Sequence, residues 1–347
     1  MKQQVHGGDV YRHPDVIDFS SNINPLGPPA SVIDAAADSL KRIAHYPDIF
    51  YSELRKSLSG YEGVQEDMII CGNGAAELIF SLVLALKPKR ALVPAPTFAE
   101  YEQALTASGC EVCHYMMKSD FNIDSGILEA ITPEYNVLFL CTPNNPTGFL
   151  IEPELLREII KRCKTCGVFL VIDECFQDFI AKPKAYTMKG ELTAAENLFI
   201  LKAFTKRYAM AGIRLGYGLC SDQKLLERMN QVTQPWNVSI PAQAAGVAAL
   251  KETAYVEAAR QLIQEESTFL KQEMCKLPLH IYDSQANYIF FEGPVNLYER
   301  CLTRGILIRS CCNYPGLKPG FYRIAVRIHE ENKILIQILQ QICSEEE

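Results

Sequence analysis

Four short stretches carry side chains whose type and spacing could do chemistry. In KAFTKRYAMAGIRLGYG, residues 202–218, Lys202 and Lys206 stand four apart, Arg214 follows, and Gly216 and Gly218 form a GxG. A lysine there could be a nucleophile, although Lys202 and Lys206 would also suit one ordinary helix surface. DECFQDF sets Asp173 and Glu174 at the mouth of the apolar run Val168–Ile172. An acid at that place needs a partner, because an unpaired buried carboxylate is costly, and a helix N-cap would supply one without any chemistry. TPNNPTG offers Asn144 and Asn145 on a loop shaped by two prolines and a glycine, as a site or as a plain solvent-facing turn. GNGAAEL places a glycine turn before an apolar helix, where the N–H groups around Gly74, Ala75 and Ala76 could hold an anion such as phosphate.

Positioning these groups is the task of the elements between them. Short apolar runs at Met68–Cys71, Ala91–Val93, Val112–Tyr115, Val137–Cys141, Val168–Ile172, Leu198–Leu201 and Gly216–Leu219 read as strands. Helical patterns at Ala75–Leu86, Tyr101–Ala107 and Glu152–Cys166 fall between several of them. Strands alternating with helices predict an α/β fold, with a mostly parallel sheet flanked by helices. The four stretches then follow strands, and open parallel sheets bind ligands at the carboxyl ends of their strands. From Pro241 the pattern changes to one long helix or two, reaching about residue 275. Strand patterns at His280–Tyr282, Asn287–Glu292, Ile306–Ser310 and Tyr322–Val326, with helices at Val295–Arg304 and Glu331–Cys343, predict a smaller α/β unit.

Composition narrows the partners. The chain has 347 residues, too many for one small domain, and 48% hydrophobic with 22% charged residues is ordinary for a folded protein. A net charge of -7 argues against nucleic-acid and anionic-membrane partners. The N-terminus has no apolar core of a signal peptide and the apolar runs are too short to span a membrane, so a cytoplasmic location is expected. Most of the thirteen cysteines lie in apolar runs and read as small buried hydrophobes. The pairs Cys110/Cys113 and Cys163/Cys166 lack a glycine-bearing knuckle, so no metal site is read from them.

Together, the anion-binding helix start, the asparagine loop, the strand-end acid and the Thr205–Lys206 pair with Arg214 resemble the fold-type-I pyridoxal-phosphate enzymes. The resemblance runs from NINPLGPP to YRIAVR, essentially the whole chain. It implies the aspartate aminotransferase-like fold, a homodimer with shared active sites, and an N-terminal arm at 1–30, a large cofactor domain at 31–240 and a small domain at 241–347. Lys206 would hold pyridoxal 5'-phosphate as a Schiff base and move protons at the substrate's α-carbon. Asp173 would keep the pyridine nitrogen protonated, and Asn145 would hydrogen-bond the ring oxygen. Phe98 would stack on the ring. Arg214, Thr205 and the N–H groups after Gly74 would take the phosphate. Tyr46 would reach the cofactor phosphate of the neighbouring subunit. Lys202 would be a strand terminus.

Two positions depart from the family pattern. Ala203 stands where a hydroxyl is usual, and Phe176 stands where many members have a tyrosine. The missing tyrosine hydroxyl implies a Lys206 imine that stays protonated to higher pH.

The substrate clues lie at the edges. Arg323 in FYRIAVR matches the family's carboxylate-binding arginine, and Arg309 matches the phosphate-binding arginine of the histidinol-phosphate aminotransferase branch. The HGG start at His6, NINPLGPP with Asn24, and Phe176 are most similar to the threonine-phosphate decarboxylases of cobalamin biosynthesis. The resemblance therefore implies a small phosphorylated amino acid, with Arg323 and Asn24 on its carboxylate and Arg309 with His6 on its phosphate. Transamination of histidinol phosphate with 2-oxoglutarate, decarboxylation of serine phosphate, and a cofactor-binding regulator without turnover are the alternatives. The regulator fits least, because such proteins usually carry a separate DNA-binding segment.

Overall fold

The computed structural model describes residues 6–345, so the first five residues of the expected arm and the last two of the small unit lie outside the described part. A seven-stranded mixed sheet forms the centre. Its spatial order is Ile69–Gly72, Gly216–Cys220, Leu198–Ala203, Phe169–Asp173, Val137–Cys141, Arg90–Ala95 and Glu111–Met116. All of these run parallel except Gly216–Cys220, which is antiparallel to both neighbours.

That one reversal matters for the site. Register pairs Gly216 with both Gly72 and Ala203, so the start of the reversed strand shares an edge with the ends of its neighbours. Arg214 therefore arrives at the edge where the other strands finish.

The central strands are apolar on both faces because helices cover both. Alternate residues go to opposite faces. Leu138, Leu140, Leu170, Ile172, Leu198 and Ile200 enter one core. Phe139, Cys141, Val171, Phe199 and Leu201 enter the other. Close packing requires glycine at Gly218, where a Cβ would run into the Phe199 ring. The helix Pro153–Cys166 starts with proline in its first turn and stops at Gly167, whose φ of 69° is the left-handed conformation glycine tolerates.

A smaller antiparallel sheet follows, ordered Arg309–Ser310, Phe321–Ala325, Tyr288–Glu292 and His280–Ile281. The helices Thr253–Met274, Leu297–Leu302 and His329–Ser344 pack on it around Ile289, Phe291, Ile324 and Leu335. The expected helical region splits in two, at Ile240–Ala249 and Thr253–Met274. The expected strand over 306–310 also splits. Ile306–Leu307 pairs with Ile17–Asp18 of the N-terminal segment, whereas Arg309–Ser310 joins the small sheet. Among the described residues no helix is long and apolar enough to cross a membrane.

Candidate active site

Where the two sheets and the N-terminal segment meet there is a cavity of about 430 Å³. Lys206 projects into it from the short turn Phe204–Arg207, which directly follows the strand Leu198–Ala203. Burial, and then the Arg323 guanidinium, hold its amine down at about 8. Its Nζ stands 5.8 Å from the centroid of the Phe176 ring.

Asp173 ends the neighbouring strand on the cavity face, in line with Cys141 and Ala203, which also line the cavity. Its carboxylate accepts a 2.5 Å hydrogen bond from Tyr101 Oη and a 2.9 Å bond from the Cys175 N–H. Burial raises its pKa, and these donors oppose the rise. Glu174, the next residue, points away and accepts from Thr187 and the Met188 N–H.

The TPNNPTG loop divides its two asparagines. Asn144 is tied to Thr97, to the Pro96 carbonyl and to Thr147, so it shapes the loop. Asn145 lines the cavity and its Oδ1 accepts from Arg323 Nη1. Phe98, Thr205, Ala75 and Ala76 line the cavity too. Arg214 lies against Gly74, where any Cβ would strike its guanidinium and where φ is 79°. The helix Gly74–Leu86 begins there, with its unshared first-turn N–H groups.

Arg309 and Arg323 face each other across two antiparallel strands of the small sheet, and both are buried. Neither has a carboxylate within ion-pair distance among the described residues. Arg309 Nη2 donates to Asn313 Oδ1 at 2.9 Å, and Arg323 Nη2 donates to the Ser20 carbonyl at 2.7 Å. Ser20 also anchors the HGG start. Its Oγ accepts from the Gly8 N–H at 2.7 Å, and a Cβ on Gly7 would meet its carbonyl. This close approach accounts for the two glycines and sets His6 on the cavity rim, 3.3 Å from Glu100.

Three expected site residues are not in the cavity wall: Gly74, which lies behind it against Arg214, Asn24 and Tyr46. The Asn24 side chain donates to the Arg207 carbonyl at 2.8 Å and accepts from the Leu26 N–H, while its own N–H donates to the Lys206 carbonyl. Its amide therefore braces the lysine turn and does not face the cavity. Tyr46 is 75% exposed, stacks on Trp236 with ring centroids 4.3 Å apart, and borders a separate surface groove.

Sequence reasoning missed Glu100, Tyr101, Ser20 and Tyr314. Glu100 reads as an ordinary first-turn acid favoured by the helix dipole. Its only signal is its place two residues after Phe98.

Lys202 proves to be more than a strand terminus. It is buried on the opposite face of the strand, 3.1 Å from Glu174 and 3.7 Å from Glu62. Glu62 also pairs with Lys189 at 2.9 Å and accepts from Tyr217 Oη at 2.5 Å.

Comparison with known proteins gives consistent matches. The family model described as aminotransferase class I and II matches residues 14–339. A threonine-phosphate decarboxylase of Salmonella typhimurium is 40% identical, covering 98% of this chain and 97% of its own. The crystal structure of the histidinol-phosphate aminotransferase from Clostridium acetobutylicum superposes with a TM-score of 0.89 at 30% identity, covering 94% of this chain and 99% of that one. The histidinol-phosphate aminotransferase from Sinorhizobium meliloti, in complex with pyridoxal-5'-phosphate, has the same fold, with a TM-score of 0.84 at 21% identity over 94% of this chain and 90% of that one.

Proposed function

This chain belongs to the class I and II aminotransferase family, which depends on pyridoxal phosphate, and from that premise we propose that it decarboxylates L-threonine O-3-phosphate. Carbon dioxide leaves, a proton takes its place on the α-carbon, and (R)-1-amino-2-propanol O-2-phosphate remains.

The cavity fits the cofactor. It holds one amine at Lys206, one buried carboxylate at Asp173, and a cradle at Gly74 that Arg214 would share with a phosphate but not with a Cβ. Lys206 would hold the aldehyde carbon, Asp173 the pyridine nitrogen and Asn145 the ring oxygen. Phe98 would cover the ring, and Thr205, Arg214 and the N–H groups of Ala75 and Ala76 would hold the phosphate. When bound, the cofactor supplies a sink for the electron pair released at the substrate's α-carbon.

The remaining steps belong to this chain's own side chains. Tyr101 and the Cys175 N–H hold the Asp173 carboxylate in one orientation. Asn24 braces the carbonyls of Lys206 and Arg207, which fixes where the amine emerges. An amine held down at about 8 has a neutral fraction near neutrality that an exposed lysine lacks, so Lys206 can take or return a proton at the α-carbon. Arg323, held between Asn145 and the Ser20 carbonyl, is set to receive the substrate carboxylate. Arg309, with His6 on the rim, is set to receive the phosphate.

The observation that carries this proposal is the facing pair Arg309 and Arg323. Like charges directly opposite on neighbouring strands are unfavourable, and burial without a carboxylate adds to the cost. A substrate with two anionic groups offsets both. Threonine phosphate brings a carboxylate and a phosphate in one molecule; histidinol phosphate brings only the phosphate, and the transamination alternative meets both arginines only with its second substrate, 2-oxoglutarate. The test is to incubate holoenzyme with threonine phosphate and no 2-oxo acid, and to measure carbon dioxide and the amine phosphate. Serine phosphate belongs beside it, because one methyl group discriminates by only about 10–200-fold. Efficient amino transfer from histidinol phosphate to 2-oxoglutarate, with no carbon dioxide from threonine phosphate, overturns the proposal.

The proposal extends to the assembly. An arm at 1–30 would join the small domain at 241–347 to the large domain at 31–240; the pairing of Ile17–Asp18 with Ile306–Leu307 supports it. A cytoplasmic homodimer would bring Tyr46 to the neighbouring cavity; its exposure beside Leu40, Ile43, Phe50 and Trp236 supports that.

A further inference from the structure

Glu100 lies in the first turn of the helix Ala99–Ala107, in the cavity wall, with its side chain 15% exposed. Its one ion pair within 4 Å among the described residues is with His6 Nδ1, at 3.3 Å. Arg309 and Arg323 from the small sheet, Tyr314 from the loop between their strands, and Lys206 from the strand-end turn are the other charged or titratable groups that act on it. None of these cations reaches it. The same pocket thus holds two arginines without carboxylate partners and one largely buried carboxylate that would repel an anion docking there. In a cavity of low dielectric that repulsion is large.

We infer that Glu100 is a specificity-determining residue that takes up a proton as a phosphate dianion docks beside Arg309, changing from a group that repels the anion into a donor that hydrogen-bonds it. This inference rests on the proposal that the substrate is a phosphorylated amino acid. The proton comes from solvent and returns to solvent when the product phosphate leaves, so no other reactant is needed.

The electrostatics support this geometry. Burial holds the Glu100 carboxyl up at about 7, against the pull of Lys206, Arg309 and Arg323. His6 moves the other way, lowered by its own burial and by Arg309, so a lasting imidazolium–carboxylate pair is disfavoured near neutrality. A phosphate monoester becomes a dianion above about pH 6. Glu100 loses its proton above about 7. Binding is therefore strongest between these limits, and affinity falls by up to about tenfold per pH unit above them.

The test is calorimetric. Holoenzyme is titrated with 1-amino-2-propanol O-2-phosphate at about pH 7.5, in two buffers of different ionisation enthalpy, which gives the number of protons taken up. Wild type is expected to take up more than Glu100→Gln, by a difference approaching about one proton. The difference should vanish with 1-amino-2-propanol, which lacks the phosphate, and should return in Glu100→Asp. In turnover, KM for threonine phosphate should climb above about pH 7 in wild type and stay flatter in Glu100→Gln, with kcat much less affected. Equal proton uptake by wild type and Glu100→Gln, in an enzyme that does prefer the phosphate ester, overturns the inference alone. If wild type binds the phosphate ester no tighter than the phosphate-free amine, the substrate proposal fails and takes this inference with it.

Discussion

Lys202 and Lys206 are four residues apart, yet they occupy opposite electrostatic worlds. Lys202 sits between the buried carboxylates of Glu62 and Glu174, which raise its pKa against the effect of burial. Lys206 sits in a cavity with Arg323 and Arg214 acting on it, and burial with those arginines lowers its pKa to about 8. The same side chain is thereby a fixed cation in one place and a titratable amine in the other. Burial alone does not activate a lysine; what decides is whether the buried carboxylates face it or lie elsewhere. Lys202 lies in the strand Leu198–Ala203, on the face away from the cavity, whereas Lys206 lies in the turn that follows and reaches the cavity.

Each lysine can be removed to test this contrast. Lys206→Ala should lower turnover by at least about 10³-fold and abolish the visible absorbance of the covalently held cofactor, with the thermal unfolding midpoint little changed. Lys202→Met should do the reverse. It takes from Glu174 its cation and, among the described residues, leaves Glu62 with Lys189 alone within ion-pair distance, and should destabilise the protein by roughly 3–5 kcal/mol, while the visible absorbance survives in the fraction that folds. Loss of that absorbance in folded Lys202→Met, or its survival in Lys206→Ala, breaks the comparison.

Smaller effects sharpen it. Gly74→Ala should weaken cofactor affinity through its clash with Arg214 and cost roughly 1–2 kcal/mol for the left-handed backbone; cofactor release on dialysis against cofactor-free buffer measures the first, and chemical denaturation the second. Phe176→Tyr should restore a hydroxyl beside the cofactor and lower the midpoint of the holoenzyme's visible-band titration by about one unit.

The two regions should also answer pH in separate windows, stability rising with pH through each. In the cofactor-free protein, the Lys206 pKa is depressed from 10.5 to about 8. The folded state bears the full cost of a buried cation below about 8, and this cost shrinks as pH rises from there towards 10.5. The Glu62 carboxylate is held down at about 2 by Lys202, Arg207 and Lys189, which outweigh its burial. Its stabilisation is complete above 4.5 and is lost as pH falls towards about 2. Denaturation across pH should show the acid-side slope flattened in Glu62→Gln and the alkaline-side rise removed in Lys206→Ala.

Much of this was legible beforehand. Every strand of the large sheet lies within two residues of an apolar run seen in the sequence, because strands buried on both faces are marked by their length and flanking turns. Lys206, Asp173 and Asn145 line one cavity for a related reason: each stands at or just after the end of a strand, and strand ends meet at one edge. The direction of the strand Gly216–Cys220 was not legible, since an apolar run of five residues fits a parallel or an antiparallel place in a sheet. The bracing role of Asn24 was not legible, because a local motif does not disclose that its amide meets the Arg207 carbonyl and the Leu26 N–H. Glu100 went unnoticed because a first-turn glutamate is usually solvated, and only the packing of the N-terminal segment and the small sheet over it makes it a cavity group.

The order of apolar runs, the glycine turns and the separated polar motifs determined the family and, with it, the family's cofactor. These are properties of local type and spacing, and the chain carries them before it folds. The faces of the strands, the direction of one strand, and the meeting of Arg309, Arg323, His6 and Glu100 were decided only by tertiary structure. Their residues come from the N-terminal segment, the large sheet and the small sheet, and what each does depends on the charges that folding places beside it.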